Sequence, residues 1–157
     1  MTKASHFFLL CSLLSAPIFG SSTASAATLV AGTFTGGVAC LTDSNRNTAD
    51  GNPILAFQCF EQMSQQWKWE ALAIQGIGTS DGVGKCVTAI GTAFGTPVQL
   101  FRCNGSRAQE WIYQNGQIKN PVSGGCLDVG DGANGTLARI QFCNFNGGTV
   151  QTWAIRG

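Results

Sequence analysis

The chain has 157 residues, of which 44% are hydrophobic and 11% are charged, and its formal net charge is +1 at pH 7. This length suits a single domain, and the near-zero charge provides no basic field for nucleic acid or anionic lipid, so no nucleic-acid partner is expected. Only one histidine is present, alongside seven cysteines.

The first 26 residues have the features of a secretory signal peptide. Lys3 precedes an apolar run from Phe7 to Phe19, and small residues end the segment at Ala24–Ala26. The apolar run is shorter than the ~20 residues that cross a bilayer, and no second long run follows, so no membrane insertion is expected. We therefore expect a secreted, extracellular protein with one mature domain, 27–157. The alternative for the segment is an N-terminal strand or anchor helix.

Removal of residues 1–26 leaves 131 of the 157 residues, with eight basic and eight acidic side chains, six cysteines and no histidine. Without an imidazole, Ser-His-Asp or Cys-His catalysis and histidine-bearing zinc sites are excluded. The cysteines never occur as Cys-x2–4-Cys, and an exported chain favours disulfides over a cysteine-only metal site. The sequence therefore predicts no metal and no cofactor.

A Gln-x-Trp motif occurs three times, with the tryptophans 44 and 42 residues apart: Gln65–Trp67, Gln109–Trp111 and Gln151–Trp153. Each motif follows two cysteines that lie 19, 17 and 17 residues apart: Cys40 and Cys59, Cys86 and Cys103, Cys126 and Cys143. Counting back from the second cysteine also aligns three glycines: Gly51, Gly95 and Gly135. These matches define an internal repeat with copies at about 30–74, 75–118 and 119–157.

The repeat also predicts how the six cysteines pair in disulfides. Six cysteines allow 15 pairings, and the repeat favours pairing within each copy. Each such bond would close a loop of about 20 residues, which is worth roughly 3 kcal/mol on the chain-entropy model.

Along the chain, short apolar or alternating runs are separated by turn residues, including seven Asn-Gly or Asp-Gly pairs. No amphipathic helix longer than two turns is apparent. The runs cover 28–42, 53–57, 67–74, 86–89, 98–103, 109–113, 126–129, 137–143 and 151–155. The pattern predicts an all-β domain in which three equivalent units pool their apolar faces into one core.

Three copies of the cysteine pair, the glycine and Gln-x-Trp resemble the ricin B-type lectins, the R-type β-trefoil family, over about 30–155. The resemblance implies twelve strands, arranged as a six-stranded barrel capped by three hairpins, and in most members it implies sugar binding. The tryptophans are expected to pack in the core, and the glutamines to bond backbone near their own loops. No enzyme domain is expected, because the chain ends at Gly157, four residues after Trp153.

A sugar pocket needs a carboxylate for vicinal hydroxyls, a ring for the apolar face of the sugar, and amides that donate and accept. In the resembling family the carboxylate lies two residues after the first cysteine. The ring lies two residues before the second cysteine, with a helper amide two residues earlier still. The glutamine of Gln-x-Trp and the residue before it complete the pocket.

Repeat three matches this pattern best, because it has Asp128 at the carboxylate position and Gln151 in its motif. Its helper position is Arg139, its ring position is Gln141, and Val150 precedes Gln151. Further candidates are Phe142 or Phe145 for a ring and Asn144 for an amide. The alternative role of Asp128 is to bond turn amides near Gly130 and Gly132.

Repeat two has the helper amide, the ring and the motif glutamine at Gln99, Phe101 and Gln109. Thr88 replaces its carboxylate and Ala108 its second amide, so weak binding at most is expected.

Repeat one keeps Phe57, Ser64 and Gln65, but Thr42 replaces the carboxylate and Leu55 the helper amide. Asp43 follows Thr42, and strand alternation predicts that it points to the opposite face. Phe57 is expected to pack in the core or at a rim.

Three functions follow from these observations. The leading prediction is a carbohydrate-binding protein for galactose-type or xylan-type glycans. The second is a β-trefoil that has lost sugar binding and acts on a protein partner as an inhibitor, effector or accessory subunit. An enzyme, such as a glycosidase with two carboxylates, is disfavoured because only Asp43 with Asp50, and Asp128 with Asp131, lie close in sequence.

Overall fold

A computed structural model of the protein describes residues 26–32, 37–60, 62–76, 84–144 and 149–157. Residues 1–25 of the predicted signal peptide therefore lie outside the described part of the chain. Ala26, the last residue of that segment, already pairs with Lys68 in the first strand. No helix among the described residues has the length and apolarity needed to traverse a bilayer.

The described residues form twelve β-strands, and the chain supplies about four per repeat. The strands are β1 (Ala26–Gly32), β2 (Val38–Asp43), β3 (Asn52–Gln58), β4 (Trp67–Glu70), β5 (Ala73–Gly76), β6 (Lys85–Ala89), β7 (Val98–Arg102), β8 (Ile112–Gln114), β9 (Gln117–Lys119), β10 (Cys126–Asp128), β11 (Arg139–Gln141) and β12 (Trp153–Arg156). Four short 3-10 turns cover Ser44–Arg46, Met63–Gln65, Arg107–Gln109 and Thr149–Gln151. The last three turns each end on the glutamine of a Gln-x-Trp motif.

Six strands form the barrel: β12, β1, β4 and β5 pair in series, and β8 pairs with β9. Among the described residues, one backbone hydrogen bond joins each of the other two seams. The N–H of Trp111 donates to the Leu72 carbonyl at 2.7 Å, and the N–H of Trp153 donates to the Gly116 carbonyl at 2.7 Å. A tryptophan of the motif thus lies at each junction between repeats, since Trp67 pairs with Ala27 at the third.

The remaining strands make three hairpins, β2–β3, β6–β7 and β10–β11, that cap the barrel. They contact one another through the β3–β7 pairing and through single bridges that join Leu55 to Leu137 and Pro97 to Arg139. Hairpin loops of one repeat therefore lie against strands of the next. This arrangement confirms the predicted all-β trefoil architecture.

The aligned glycines make these contacts between repeats. Each has φ between +85° and +88° and donates its N–H, at 2.7–2.8 Å, to a carbonyl three residues before the second cysteine of another repeat. The pairs are Gly51 to Leu100, Gly95 to Ile140 and Gly135 to Ala56. Glycine suits these positions because a Cβ makes left-handed backbone unfavourable.

Alanine at any one of these glycines is expected to destabilise the protein by about 1–2 kcal/mol, because only the backbone conformation is strained. A Cβ would meet nothing within 4 Å at Gly51, Gly95 or Gly135, so no steric clash adds to the loss. Urea unfolding of the three single variants should give similar losses. A loss at one position alone would contradict the three-fold equivalence.

The three motif tryptophans fill the core, as predicted. Each is at most 2% exposed, and each indole N–H donates to the carbonyl of the residue after the first cysteine of its own repeat. These bonds run from Trp67 to Leu41, from Trp111 to Val87 and from Trp153 to Leu127, at 2.9, 2.8 and 3.1 Å. Aliphatic side chains from all three repeats surround the rings, including Leu29, Ile54, Ile74, Leu100, Ile118 and Ile140.

The disulfides connect Cys40 to Cys59, Cys86 to Cys103 and Cys126 to Cys143, which confirms the predicted pairing within repeats. Each bond ties the first strand of a capping hairpin to the end of the second strand or the loop that follows it. The bonds therefore fix the two sides of each candidate pocket relative to one another.

Candidate functional site

The motif glutamine has the same hydrogen bonds in every repeat. Its Nε2 donates to the carbonyl of the residue before the second cysteine and to the side chain two residues after the first cysteine, while its Oε1 accepts a backbone N–H. Both amide hydrogens are therefore used within the protein. Gln65, Gln109 and Gln151 do bond backbone near their own loops, as expected. They also orient the residue at the carboxylate position: Thr42, Thr88 and Asp128.

Asp128 is the one carboxylate at this position, and its side chain is fixed from three directions. Its Oδ1 accepts the Gly130 N–H at 2.8 Å and the Arg139 Nε–H at 3.1 Å. Its Oδ2 accepts an amide hydrogen of Gln151 at 3.1 Å. Asp128 is buried, with only 4% of its surface exposed. The structure thus shows a turn-bonding role at Gly130, together with a rigid acceptor.

Two of the other repeat-three candidates, Arg139 and Gln141, lie on the strand that pairs with that of Asp128. Antiparallel register places Asp128 opposite Arg139 and Cys126 opposite Gln141, so these side chains share one face of the hairpin. The Arg139 side chain is 42% exposed and carries further N–H groups that can face solvent or a ligand. Gln141 is half-buried.

Two further candidates of repeat three, Phe142 and Asn144, lie in the loop that follows β11. The backbone N–H of Asn144 donates to Gln151, and its carbonyl accepts from Gln117, while its side chain is exposed. The Phe142 ring packs edge-to-face against Phe94 of repeat two, with centroids 5.9 Å apart. Phe145 lies outside the described residues. A sugar-facing ring at position 141 is absent, since glutamine occupies it.

Repeat two forms an open cavity of about 380 Å³ between its hairpin and the loop after Cys103. Predicted residues Phe101 and Gln109 line it, together with Thr88, Ile90, Arg102 and Asn104. Gln99 pairs with Thr88 across the hairpin and is half-buried. Repeat one contributes a further lining residue, Asp50, which the spacing of repeat two does not reveal.

Repeat one forms a cavity of about 220 Å³ that is lined by Thr42, Asp43, Arg46, Phe57 and Phe60, among others. Asp43 and Thr42 both line this cavity, although Thr42 pairs with Leu55 and Asp43 with the buried Ile54 across the hairpin, as strand alternation predicts. Asp43 is the last residue of β2, and the turn that follows holds Asn45 and Arg46 at φ of +57° and +54°, so the chain leaves the strand immediately after it. Phe57 lies at the rim, with its ring 6.2 Å from that of Phe60.

Asp43 is an unusual member of this cavity because it is buried and incompletely paired. Only 6% of its surface is exposed, and its Oδ1 has no hydrogen-bond partner. Burial raises the pKa of Asp43 from 3.8 to about 6, and the backbone N–H and positive charge of Arg46 lower it by less. Across the described residues, no cluster of three or more His, Cys, Asp or Glu side chains is arranged to hold a metal ion.

The fold and the repeated site define a β-trefoil lectin domain. The family model described as ricin-type beta-trefoil lectin domain matches residues 29–156. The chain therefore belongs to the ricin-type β-trefoil lectin family, as its three motifs predicted. None of the curated proteins compared with the chain gave a match.

Solved structures agree with this assignment. The agglutinin from Abrus precatorius is 26% identical with a TM-score of 0.70, over 86% of this chain and 50% of that one, so this chain spans about half of the agglutinin. The C-half of the earthworm R-type lectin, in complex with GalNAc, is 15% identical with a TM-score of 0.63, over 84% and 98% of the two chains. The β-trefoil lectin of Vibrio vulnificus hemolysin/cytolysin, with N-acetyl-D-lactosamine bound, is 16% identical with a TM-score of 0.63, over 84% and 95%.

Proposed function

We propose that this protein is a secreted, non-enzymatic lectin that binds glycans weakly, mainly through the repeat-three pocket around Asp128. The observation that carries the proposal is the fixed Asp128 carboxylate beside the Arg139 guanidinium. Among the three equivalent positions, repeat three alone places a carboxylate where the motif glutamine orients it. The predicted signal peptide supports secretion.

The chemistry of the pair suits neighbouring sugar hydroxyls. A carboxylate oxygen accepts more than one hydrogen bond, so Oδ2 of Asp128 can accept a ligand hydroxyl in addition to Gln151. The guanidinium of Arg139 can donate to an adjacent hydroxyl, and Gln141 offers a further amide. Since position 141 lacks a ring, one such pocket should bind weakly, and arrayed glycans would raise the avidity.

Galactose-type glycans are the first ligands to test, because the related lectins carry GalNAc or N-acetyl-D-lactosamine. Xylan-type polysaccharides are the second. The match to a lectin domain supports a binding role rather than an enzymatic one.

A protein partner is the alternative function, and one surface favours it. Phe94 and Phe142 are 53% and 70% exposed and pack against each other at the junction of repeats two and three. Aromatic residues are enriched in protein–protein interfaces, so this exposed pair favours a protein partner at the junction.

Asp128→Asn should reduce glycan affinity about ten- to a hundredfold, because it removes the charge-assisted bonds to ligand hydroxyls. The amide oxygen can still accept the Gly130 N–H, so the turn should persist, although the amide nitrogen in place of Oδ2 can no longer accept from Gln151. Binding of galactose-type and xylan-type oligosaccharides is measured by titration calorimetry on the oxidised protein.

Asp131→Asn is the matched control, since it removes the same charge three residues away. Asp131 is exposed and bonds only its own turn, to the Ala133 N–H and the Thr136 hydroxyl. Unchanged affinity in Asp131→Asn with reduced affinity in Asp128→Asn supports the proposed site. Wild-type affinity in both variants would show that the sugar binds elsewhere.

A further inference from the structure

We propose that Asp50, from repeat one, completes a second sugar-binding pocket in repeat two. This inference rests on the proposed lectin function and adds a site to it. The spacing pattern leaves repeat two without an acid, because Thr88 occupies the carboxylate position and bonds Gln109 and the Cys86 carbonyl instead. The folded protein supplies the acid from a different repeat.

Register between the repeats brings Asp50 to this cavity. Asn52 of β3 pairs with Leu100 of β7, and the N–H of Gly51 donates to the Leu100 carbonyl at 2.7 Å. Asp50 therefore lies beside the end of β7. Its Oδ1 accepts the backbone N–H of Arg102 at 2.8 Å, which holds the carboxylate next to Phe101.

The remaining oxygen of Asp50 is available to a ligand. Oδ1 also accepts the Lys85 ammonium at 2.7 Å, whereas Oδ2 accepts no hydrogen bond from the described residues. The Asp50 side chain is 49% exposed, so a ligand can reach it. The hydrogen bond from Lys85 is the main reason that the pKa of Asp50 lies below its usual value, and the carboxylate stays ionised at mildly acidic pH.

The rest of the cavity provides the other groups that a sugar needs. Phe101 is partly exposed and, with Ile90, offers an apolar wall. The Asn104 carbonyl oxygen accepts the Ser106 N–H, which leaves the amide nitrogen of Asn104 as a donor. A neutral pyranose fits this set, with one hydroxyl on Oδ2 of Asp50, another on Asn104, and its C–H face on Phe101.

Comparison of the three repeats indicates that an amide can make the same backbone bond as Asp50. Asn134 occupies the equivalent position of repeat three, and its Oδ1 accepts the Gln58 N–H at 2.6 Å, as Asp50 accepts that of Arg102. Phe94 occupies the equivalent position of repeat two and makes no such bond among those described. An amide thus accepts the same backbone N–H, so Asp50→Asn keeps this bond, and its oxygen can also accept from the Lys85 ammonium although the opposite charge is lost.

The test is a titration of the oxidised protein with free galactose and with xylobiose, followed by backbone amide NMR. The wild type should show two sets of shifted amides, around Gly130 and around Asn104. Asp50→Asn should lower affinity at the Asn104 set by tenfold or more and leave the Gly130 set unchanged. Phe101→Ala, which leaves Asp50 paired with Lys85, should weaken the same set.

The outcomes separate this inference from the proposed function. If the wild type shows no shifts around Asn104, and Asp128→Asn loses the shifts around Gly130, the repeat-two pocket is overturned and the repeat-three site is supported. An Asn104 set that persists unchanged in Asp50→Asn also overturns the role of Asp50. Shifts at the Asn104 set alone would support this inference and contradict the repeat-three site, and no shifts at either set would overturn both.

Discussion

Replacing Trp111 by alanine is expected to lower the free energy of unfolding by about 3–5 kcal/mol, the range for a large aromatic side chain lost from a packed core. Trp111 is fully buried, and its indole N–H satisfies the Val87 carbonyl at 2.8 Å. The variant therefore creates a cavity and also leaves a buried carbonyl without its donor. Guanidinium unfolding with the disulfides intact measures the change.

Trp69 provides the matched control because it is the one tryptophan outside the motifs. It is only partly buried and meets Tyr113 edge-on, with ring centroids 6.4 Å apart. Trp69→Ala should destabilise the protein less than Trp111→Ala. Equal losses would contradict the assignment of the motif tryptophans to the centre of the core.

Asp43→Asn is expected to stabilise the protein at neutral pH by about 1–2 kcal/mol, less than the full free energy of a pKa increase from 3.8 to about 6, because Asp43 lines an open cavity where water screens its charge. The folded state binds the Asp43 proton more tightly than the unfolded state does. The free energy of unfolding of the wild type therefore falls as pH rises from about 4 to about 6, whereas that of the variant does not. The free energy of unfolding is measured for both proteins at pH 3.5 and pH 7.5.

The two proteins should be similar at pH 3.5 and should differ at pH 7.5. Asp131→Asn is the control of opposite sign, because hydrogen bonds from the Ala133 N–H and the Thr136 hydroxyl lower the pKa of Asp131. That variant should lose stability above the unfolded pKa rather than gain it. A constant difference between Asp43→Asn and wild type across pH would show that ionisation of Asp43 does not destabilise the fold.

The repeated features could be predicted from the sequence because each depends on chemistry within one copy. Disulfide pairing, the buried tryptophans and the backbone bonds of the glutamines follow from motifs that recur at fixed spacing. Gly51, Gly95 and Gly135 could be aligned, and their left-handed conformation explains why glycine recurs there. The three-fold core follows from these local features.

Contacts between copies could not be predicted in the same way. Asp50 reaches the repeat-two cavity through the register of β3 against β7, and no spacing within repeat two encodes that register. Asp43 lines its cavity at the end of β2, where the chain enters a turn with left-handed residues, and strand alternation alone does not indicate that contact. Within repeat three, the salt bridge between Arg139 and Asp128 depends on the register of the β10–β11 hairpin, which the motif spacing does not give.

The central claim is that the folded domain binds glycans, and a glycan-array screen of oxidised residues 27–157 tests it most directly. We expect binding to galactose-type or xylan-type glycans that free sugar of the same class displaces and that Asp128→Asn weakens. A correctly disulfide-bonded domain that binds no glycan at high array density would contradict the account.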